Sequence, residues 1–162
     1  MIREIKKKLI DKFINNYFIS RFLNHNQKYS ISKKVEIIDH YIWWFNNKRE
    51  FTIYKLSGDK YIYLWAELIV FKKNKYWTCG FHTDSKTNII EIIKSYKRFL
   101  GNIKRKKTIP IIGLIVKNNV FLRKLNEDIG FKKIQKNNHK DFLIIKSYYK
   151  IKKTSKYIFF KL

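Results

Sequence analysis

The sequence predicts a mixed α/β (α+β) domain, a mostly antiparallel central sheet flanked by helices. Three observations predict it. The middle of the chain, 51–83, holds three strand-like runs separated by short polar turns. Helical periodicity brackets them, at 1–24 and 33–47 before and at 89–100 after. A compact strand–helix–Gly–Phe unit then occupies 109–134.

Residues 1–24 carry an apolar stripe of Ile2, Ile5, Leu9, Ile10, Phe13, Ile14, Tyr17 and Phe18, with Arg3, Lys6, Lys7, Lys8 and Lys12 on the other side. That period predicts a basic amphipathic helix packed on a core. The same pattern suits a helix resting on an anionic membrane or docking a partner. Residues 24–32 are polar and read as a loop. Ser32 can cap a second helix at 33–47, which carries Val35, Ile38, Ile42, Trp43 and Phe45 around His40 and Trp44. Strands are expected at 51–56, at Tyr61–Phe71 after the turn Ser57-Gly58-Asp59, and at 75–83 after another polar turn. This is an antiparallel meander. By the two-residue period Tyr63, Trp65 and Glu67 share one face; Thr78, Gly80 and His82 share a face of the next strand.

Asp84 to Asn88 lead into a helix at 89–100, and 101–107 reads as a basic turn. The β-branched run 109–116, with Pro110 near its start, reads as a buried strand. Val120, Phe121, Leu122, Leu125 and Ile129 give the next helix one apolar face, with Asn118 or Asn119 as its cap. Gly130 stands where a left-handed C-cap belongs, and Phe131 is the hydrophobic contact after it. After a polar loop at 135–140, strands at 142–149 and 156–160 are expected to close the chain as a hairpin around 150–155.

The 162 residues are most simply one domain, and 45% apolar with 17% aromatic residues is a globular composition. Cys79 is the one cysteine, so no internal disulfide forms, which suits a reducing, cytoplasmic location. The first residues alternate charged and apolar groups, unlike a secretory signal, and no apolar run approaches the ~20 residues of a spanning helix. The net charge of +25 suggests polyanion partners, nucleic acid or anionic membrane. Against that, Ala66 is the only alanine and Pro110 the only proline, while Lys, Ile, Asn, Tyr and Phe abound. Codon bias in an AT-rich genome gives this composition, and the lysines spread along the whole chain. A salt-dependent attraction to phosphate-bearing ligands follows in either case.

The run from Asn119 through the helix to Ile129-Gly130-Phe131 resembles the C-terminal half of the GNAT acetyltransferase superfamily. The helix with His40, Trp43 and Trp44 resembles a segment of those members that acylate nucleotide-linked amino-sugars of surface glycans. The resemblance implies the GNAT fold across the chain and acyl transfer, usually acetyl, from acyl-coenzyme A to a primary amine. It implies splayed central strands, a backbone amide polarising the thioester, and a base that takes the amine proton. Asn119, with Asn126, would hold the pantetheine arm; Asn126 stands where the superfamily usually has a thiolate-protonating tyrosine. The superfamily's Gly-rich pyrophosphate loop is replaced by Ser85, Lys86 and Thr87, polar residues suited to meeting a phosphate at a helix start. His40, Trp44 and Trp65 would line the acceptor site, one indole stacking on a sugar or base.

Two residues are candidate bases. Glu67 is an acid within an otherwise apolar run; burial would raise its pKa and fit it to accept a proton. His82, near a strand end, offers an imidazole suited to deprotonating an ammonium at neutral pH. Cys79 lacks an ordered His/Asp partner set and reads as structural. No His/Cys cluster has metal spacing. The sequence thus points to an N-acyltransferase acting on a small amine; the alternative is a non-catalytic basic module for nucleic acid or anionic membrane.

Overall fold

The computed structural model describes residues 2–23, 35–46, 49–106, 109–135 and 140–162. The expected loop at 24–32, the Ser32 cap and most of the loop at 135–140 lie outside the described residues. Chain contacts divide the molecule into two units: Met1–His25, Lys33–Glu67 and Gly80–Thr108 form one, and Asn26–Ser32, Leu68–Cys79 and Ile109–Leu162 the other.

The chain opens with a short strand, β1 (Arg3–Glu4), then a 3-10 segment (Lys7–Phe13) and helix α1 (Ile14–Leu23). The continuous helix expected over 1–24 is therefore split. The backbone of β2 (Glu50–Lys55) needs an edge partner, and β1 supplies it antiparallel, Arg3 opposite Lys55 and Glu4 opposite Tyr54. Ile5 N–H continues the pairing by donating to Ile53 O at 2.8 Å. α2 spans Ile37–Asn46. The meander is as expected: β2 pairs β3 (Tyr61–Phe71) antiparallel, with Phe51 opposite Trp65 and Ile53 opposite Tyr63, and β4 (Asn74–Thr83) follows in the order β1-β2-β3-β4. Ile14 and Tyr17 of α1 and Trp44 of α2 pack with Ile53 and Tyr63 in the core of the first unit.

α3 runs Ile89–Lys106, past the expected stop at Leu100. Its buried residues Ile92, Ser95, Tyr96, Phe99, Leu100 and Ile103 keep the 3.6-residue period, so Ile103 carries the helix on through Gly101. Packing of that added turn outweighs the ~1 kcal/mol that an interior glycine costs. The basic turn expected at 101–107 is thus helical to Lys106.

In the second unit β5 (Ile112–Val116) lies against β7 (Tyr157–Lys161), which also pairs β6 (Lys132–Lys133); all pairs are antiparallel and the order is β5-β7-β6. Trp77 forms a single parallel bridge with Ile111, its N–H donating to Pro110 O at 2.9 Å. α4 is Val120–Ile129, with Asn119 as cap and Gly130 left-handed at φ 102°. The strand expected at 142–149 is instead helix α5, Lys140–Tyr148. Asp141, Phe142, Ile144 and Ile145 are buried, while Leu143 is exposed. That is helical spacing; strand alternation from Phe142 and Ile144 would have driven Lys146 into the core. The closing hairpin is therefore a helix and one strand. Phe142, Ile144 and Ile145 pack against Ile112, Leu114 and Phe159.

Candidate functional site

The chemistry-bearing side chains of the first unit gather on one face of its sheet. Gly80 of β4 lies under the Trp65 indole so closely that a Cβ there would stand 2.7 Å from Trp65 Cζ2. Trp65 and its period-two neighbours Tyr63 and Glu67 therefore share a side with Gly80 and His82. Tyr17 of α1 confirms this, because its ring meets Tyr63 at 5.7 Å and His82 at 5.4 Å. Glu67 and His82, the two candidate bases, are brought to one face.

Glu67 is half-buried and ion-paired: Arg49 Nε donates to its Oε2 at 2.6 Å. The Arg49 guanidinium lies over two indoles, 4.3 Å from the Trp65 ring centre and 4.9 Å from that of Trp43. Arg49 is thus held by three partners from two elements, Trp65 and Glu67 of β3 and Trp43 of α2, a planar cation stacked on aromatic faces. The carboxylate foreseen as isolated in an apolar strand has a guanidinium beside it. Sequence reasoning missed Arg49, since nothing local to it signals partners at positions 43, 65 and 67.

Two expected acceptor-lining residues are buried. His40 is 1% exposed, with Nε2 against Ile14 O at 3.3 Å. A carbonyl only accepts, so Nε2 carries the proton and Nδ1 is an acceptor; Nδ1 is buried without a hydrogen-bond partner. Burial pushes the His40 pKa below its usual value, which keeps the ring neutral. Trp44 is 6% exposed and its Nε1 donates to Asp11 Oδ1 at 2.9 Å. Both side chains are core, packed around Tyr17 at ring distances of 5.5 Å each, so neither presents a surface to an acceptor as the expectation required. The reason is the helix period: α2 turns positions 40 and 44 inward. Trp65 and Trp43 are the half-buried indoles. Burial raises the Tyr17 hydroxyl pKa to about 12, so it stays protonated at neutral pH.

At the end of β4, Asp84 accepts from Tyr61 N–H at 2.8 Å and Tyr63 hydroxyl at 3.3 Å. Burial raises its carboxyl pKa. Ser85, Lys86 and Thr87 form the turn into α3, with Lys86 left-handed at φ 55°. Thr87 Oγ1 donates to Asp84 O at 2.6 Å, and Asn88 Oδ1 caps the helix by accepting from Ile90 N–H at 2.9 Å. Ser85 and Lys86 are exposed.

In the second unit Asn119 Oδ1 accepts from Leu122 N–H at 3.0 Å, so that oxygen serves as the α4 cap. Asn126 is buried, and its Oδ1 has no hydrogen-bond partner. Such an atom is costly unless a ligand or water supplies a donor. Among the described residues no group of His, Cys, Asp and Glu is placed to hold a metal ion, and no helix is long and apolar enough to cross a membrane.

No family model matches the sequence, and no curated protein matches it. Solved structures do. The ribosomal-protein-alanine N-acetyltransferase from Brucella melitensis is similar with a TM-score of 0.67 at 11% identity, over 100% of this chain and 98% of that one. An acetyltransferase of the GNAT family from Bacillus anthracis is similar at 0.58 and 13% identity, over 99% and 92%. A domain from Methanocaldococcus jannaschii gives 0.64 and 17% identity, over 100% and 96%. At these identities the likeness is one of architecture: the chain has the fold of the GNAT acetyltransferases.

Proposed function

We propose that this chain is an N-acyltransferase that moves an acyl group, acetyl in the first instance, from acyl-coenzyme A to a primary amine. The observation that supports this best is that Glu67 and His82 lie on the same sheet face of a fold shared with acetyltransferases. An amine attacks only after losing a proton, and these two groups are the acceptors for it. His82 offers an imidazole packed edge-on against Tyr17. Glu67 offers a carboxylate whose direction is fixed by Arg49. Bound acyl-coenzyme A supplies the thioester carbonyl that the amine attacks.

The chain's own groups fit that co-substrate in part. Asn126 Oδ1 is a buried acceptor without a donor, and the pantetheine arm carries amide N–H groups. Asn119 acts by fixing the start of α4, its side-chain oxygen being engaged in the cap. Ser85 hydroxyl and Lys86 ammonium stand at the start of α3, where the helix dipole and side chains both favour a phosphate. Thr87, already bonded to Asp84 O, shapes that turn. Asn126 has no ionisable proton to give, so the leaving thiolate would take its proton from water, while the amine's proton goes to the base.

The acceptor we favour is an amino-sugar carried on a nucleotide or lipid, as in glycan synthesis. The half-buried Trp65 and Trp43, which share the Arg49 guanidinium, are the indoles that support this choice, and His40 and Trp44 pack against Trp43.

Calorimetric titration with acetyl-coenzyme A at low and moderate salt tests the donor. Micromolar binding that survives salt is expected. Thiol release with amine acceptors then tests chemistry: Glu67→Gln or His82→Ala should lower turnover ~10²–10⁴-fold. Intact turnover in both variants refutes the base assignment. Failure to bind coenzyme, together with steeply salt-dependent binding to polyanions, refutes the acyltransferase reading in favour of a basic module.

A further inference from the structure

Two guanidiniums lie over one indole. Arg49 stands 4.9 Å from the Trp43 ring centre, and Arg21, in the last turn of α1, stands 5.8 Å from it. The place is the face that carries the candidate bases: Trp43 stacks on Tyr17 at 5.9 Å, and Tyr17 meets His82 at 5.4 Å. All of these residues belong to the first unit. An indole attracts a cation but does not neutralise it, and two cations so close repel each other.

The two charges are answered unequally. Glu67 pairs with Arg49. No acid answers Arg21: all 12 acids of the chain lie within the described residues, and none of them is ion-paired with it. Asp39, one turn before Trp43 on α2, is exposed and pairs with neither arginine. Glu50 stands opposite Ala66 in the β2–β3 register, so it belongs to the other side of the sheet from Phe51 and Trp65. The neighbouring residues 24–34 and 47–48 hold Lys28, Lys33, Lys34 and Lys48 and no acid. The C-terminal dipole of α1 offers Arg21 roughly half a charge. Arg21 is half-buried, and a cation partly withdrawn from water without a full counter-charge is costly. An anion from outside the chain removes that cost.

The two forks indicate which anion. A guanidinium presents parallel N–H donors that match the oxygens of a carboxylate or a phosphate. A carboxylate has two oxygens and suits one fork. A phosphate has more, so it can meet Arg21 while facing Arg49. Both carriers favoured above for the amino-sugar, nucleotide and lipid, are joined to it through phosphate. We infer that Arg21 binds a phosphate of the acceptor, with Trp43 as the surface that holds its guanidinium and Arg49 as the second cation facing that phosphate. This rests on the acyltransferase reading and makes the acceptor a phosphorylated amine rather than a neutral one.

Calorimetric titration of the full chain with inorganic pyrophosphate and with uridine diphosphate, at about 150 mM salt, tests the site without turnover. Saturable binding is expected. Arg21→Gln should weaken it at least ~10-fold, the scale of a lost charge-assisted hydrogen bond, with an unchanged thermal melt. Arg21→Lys keeps the charge without the fork and should recover part of the loss. Lys97→Gln removes one charge from an exposed position on α3 and should leave the affinity unchanged. Tighter binding of uridine diphosphate than of pyrophosphate identifies a nucleotide carrier; equal affinity identifies a lipid one. In turnover, Arg21→Gln should raise the KM of glucosamine 1-phosphate by the same factor, leaving its kcat and the KM of glucosamine unchanged. No binding of either probe, equal losses in Arg21→Gln and Lys97→Gln, or tighter binding of succinate than of pyrophosphate overturns the inference. Arg21-dependent phosphate binding in a chain that turns over no amine keeps the phosphate site and refutes the acyltransferase reading.

Discussion

Replacing Gly80 by alanine perturbs the Trp65–Arg49–Glu67 stack without substituting any of its members. The new Cβ would lie 2.7 Å from Cζ2, 2.9 Å from Cε2 and 3.1 Å from Nε1 of Trp65. Carbon pairs settle near ~3.5 Å, so the indole must retreat by about 0.8 Å. Its other partner is Arg49, 4.3 Å from the ring centre, which in turn holds Glu67 at 2.6 Å. Overpacking costs ~1–3 kcal/mol, and a half-exposed ring that can yield puts Gly80→Ala in the lower half of that range. Loss of the cation–π contact adds ~0.5–1 kcal/mol. Replacing a strand glycine returns up to ~1 kcal/mol through the unfolded chain. The net is about 1–2 kcal/mol, a fall in Tm of roughly 3–6 °C for a chain of this size. Calorimetry measures the shift, and tryptophan fluorescence should report a wetter Trp65. In a double-mutant cycle, Gly80→Ala with Arg49→Ala should cost less than the sum of the two. An unchanged or higher Tm with unchanged fluorescence would refute the tight contact and the mechanical link from Gly80 to Glu67.

Asn119→Ala should destabilise the protein by ~1 kcal/mol through loss of the Leu122 N–H cap, and Asn119→Ser should restore most of it in urea melts. The buried His40 has a lowered pKa, so as pH falls below about 6.5 the unfolded chain takes up a proton that the folded one refuses. Stability is then lost toward acid, by at most about 1.4 kcal/mol per pH unit. The difference in urea stability between wild type and His40→Phe, followed from pH 7.5 to 5.5, should show that slope; parallel curves would exclude it.

Local signals were legible and long-range ones were not. β3, and α4 with its Asn119 cap and left-handed Gly130, follow from periodicity and capping within a dozen residues. The split of 1–24 depends on the unpaired edge of β2, some fifty residues away, which no stripe in that segment encodes. Residues 142–149 are rich in β-formers and read as a strand until Lys146 is required to stay in water. Glu67 and His82 stood out by chemical type, but the inward turn of His40 and Trp44 and the presence of Arg49 beside Glu67 arise only from packing.

The position of β7 has a consequence for how the protein is made. Residues Tyr157–Lys161 form the middle strand of their sheet, with β5 and β6 on either side. While the chain is still being synthesised, β5 and β6 have no partner to bond. Their amides stay wet, and the Ile112, Leu114 and Phe142 side chains that β7 covers with Phe159 stay open. The second unit therefore closes only after Tyr157–Lys161 has left the ribosome, whereas the β1-β2-β3 pairs of the first need only the first seventy or so residues. A nascent chain stalled shortly before Tyr157 exposes a sticky half-sheet, and a chaperone would find its work there.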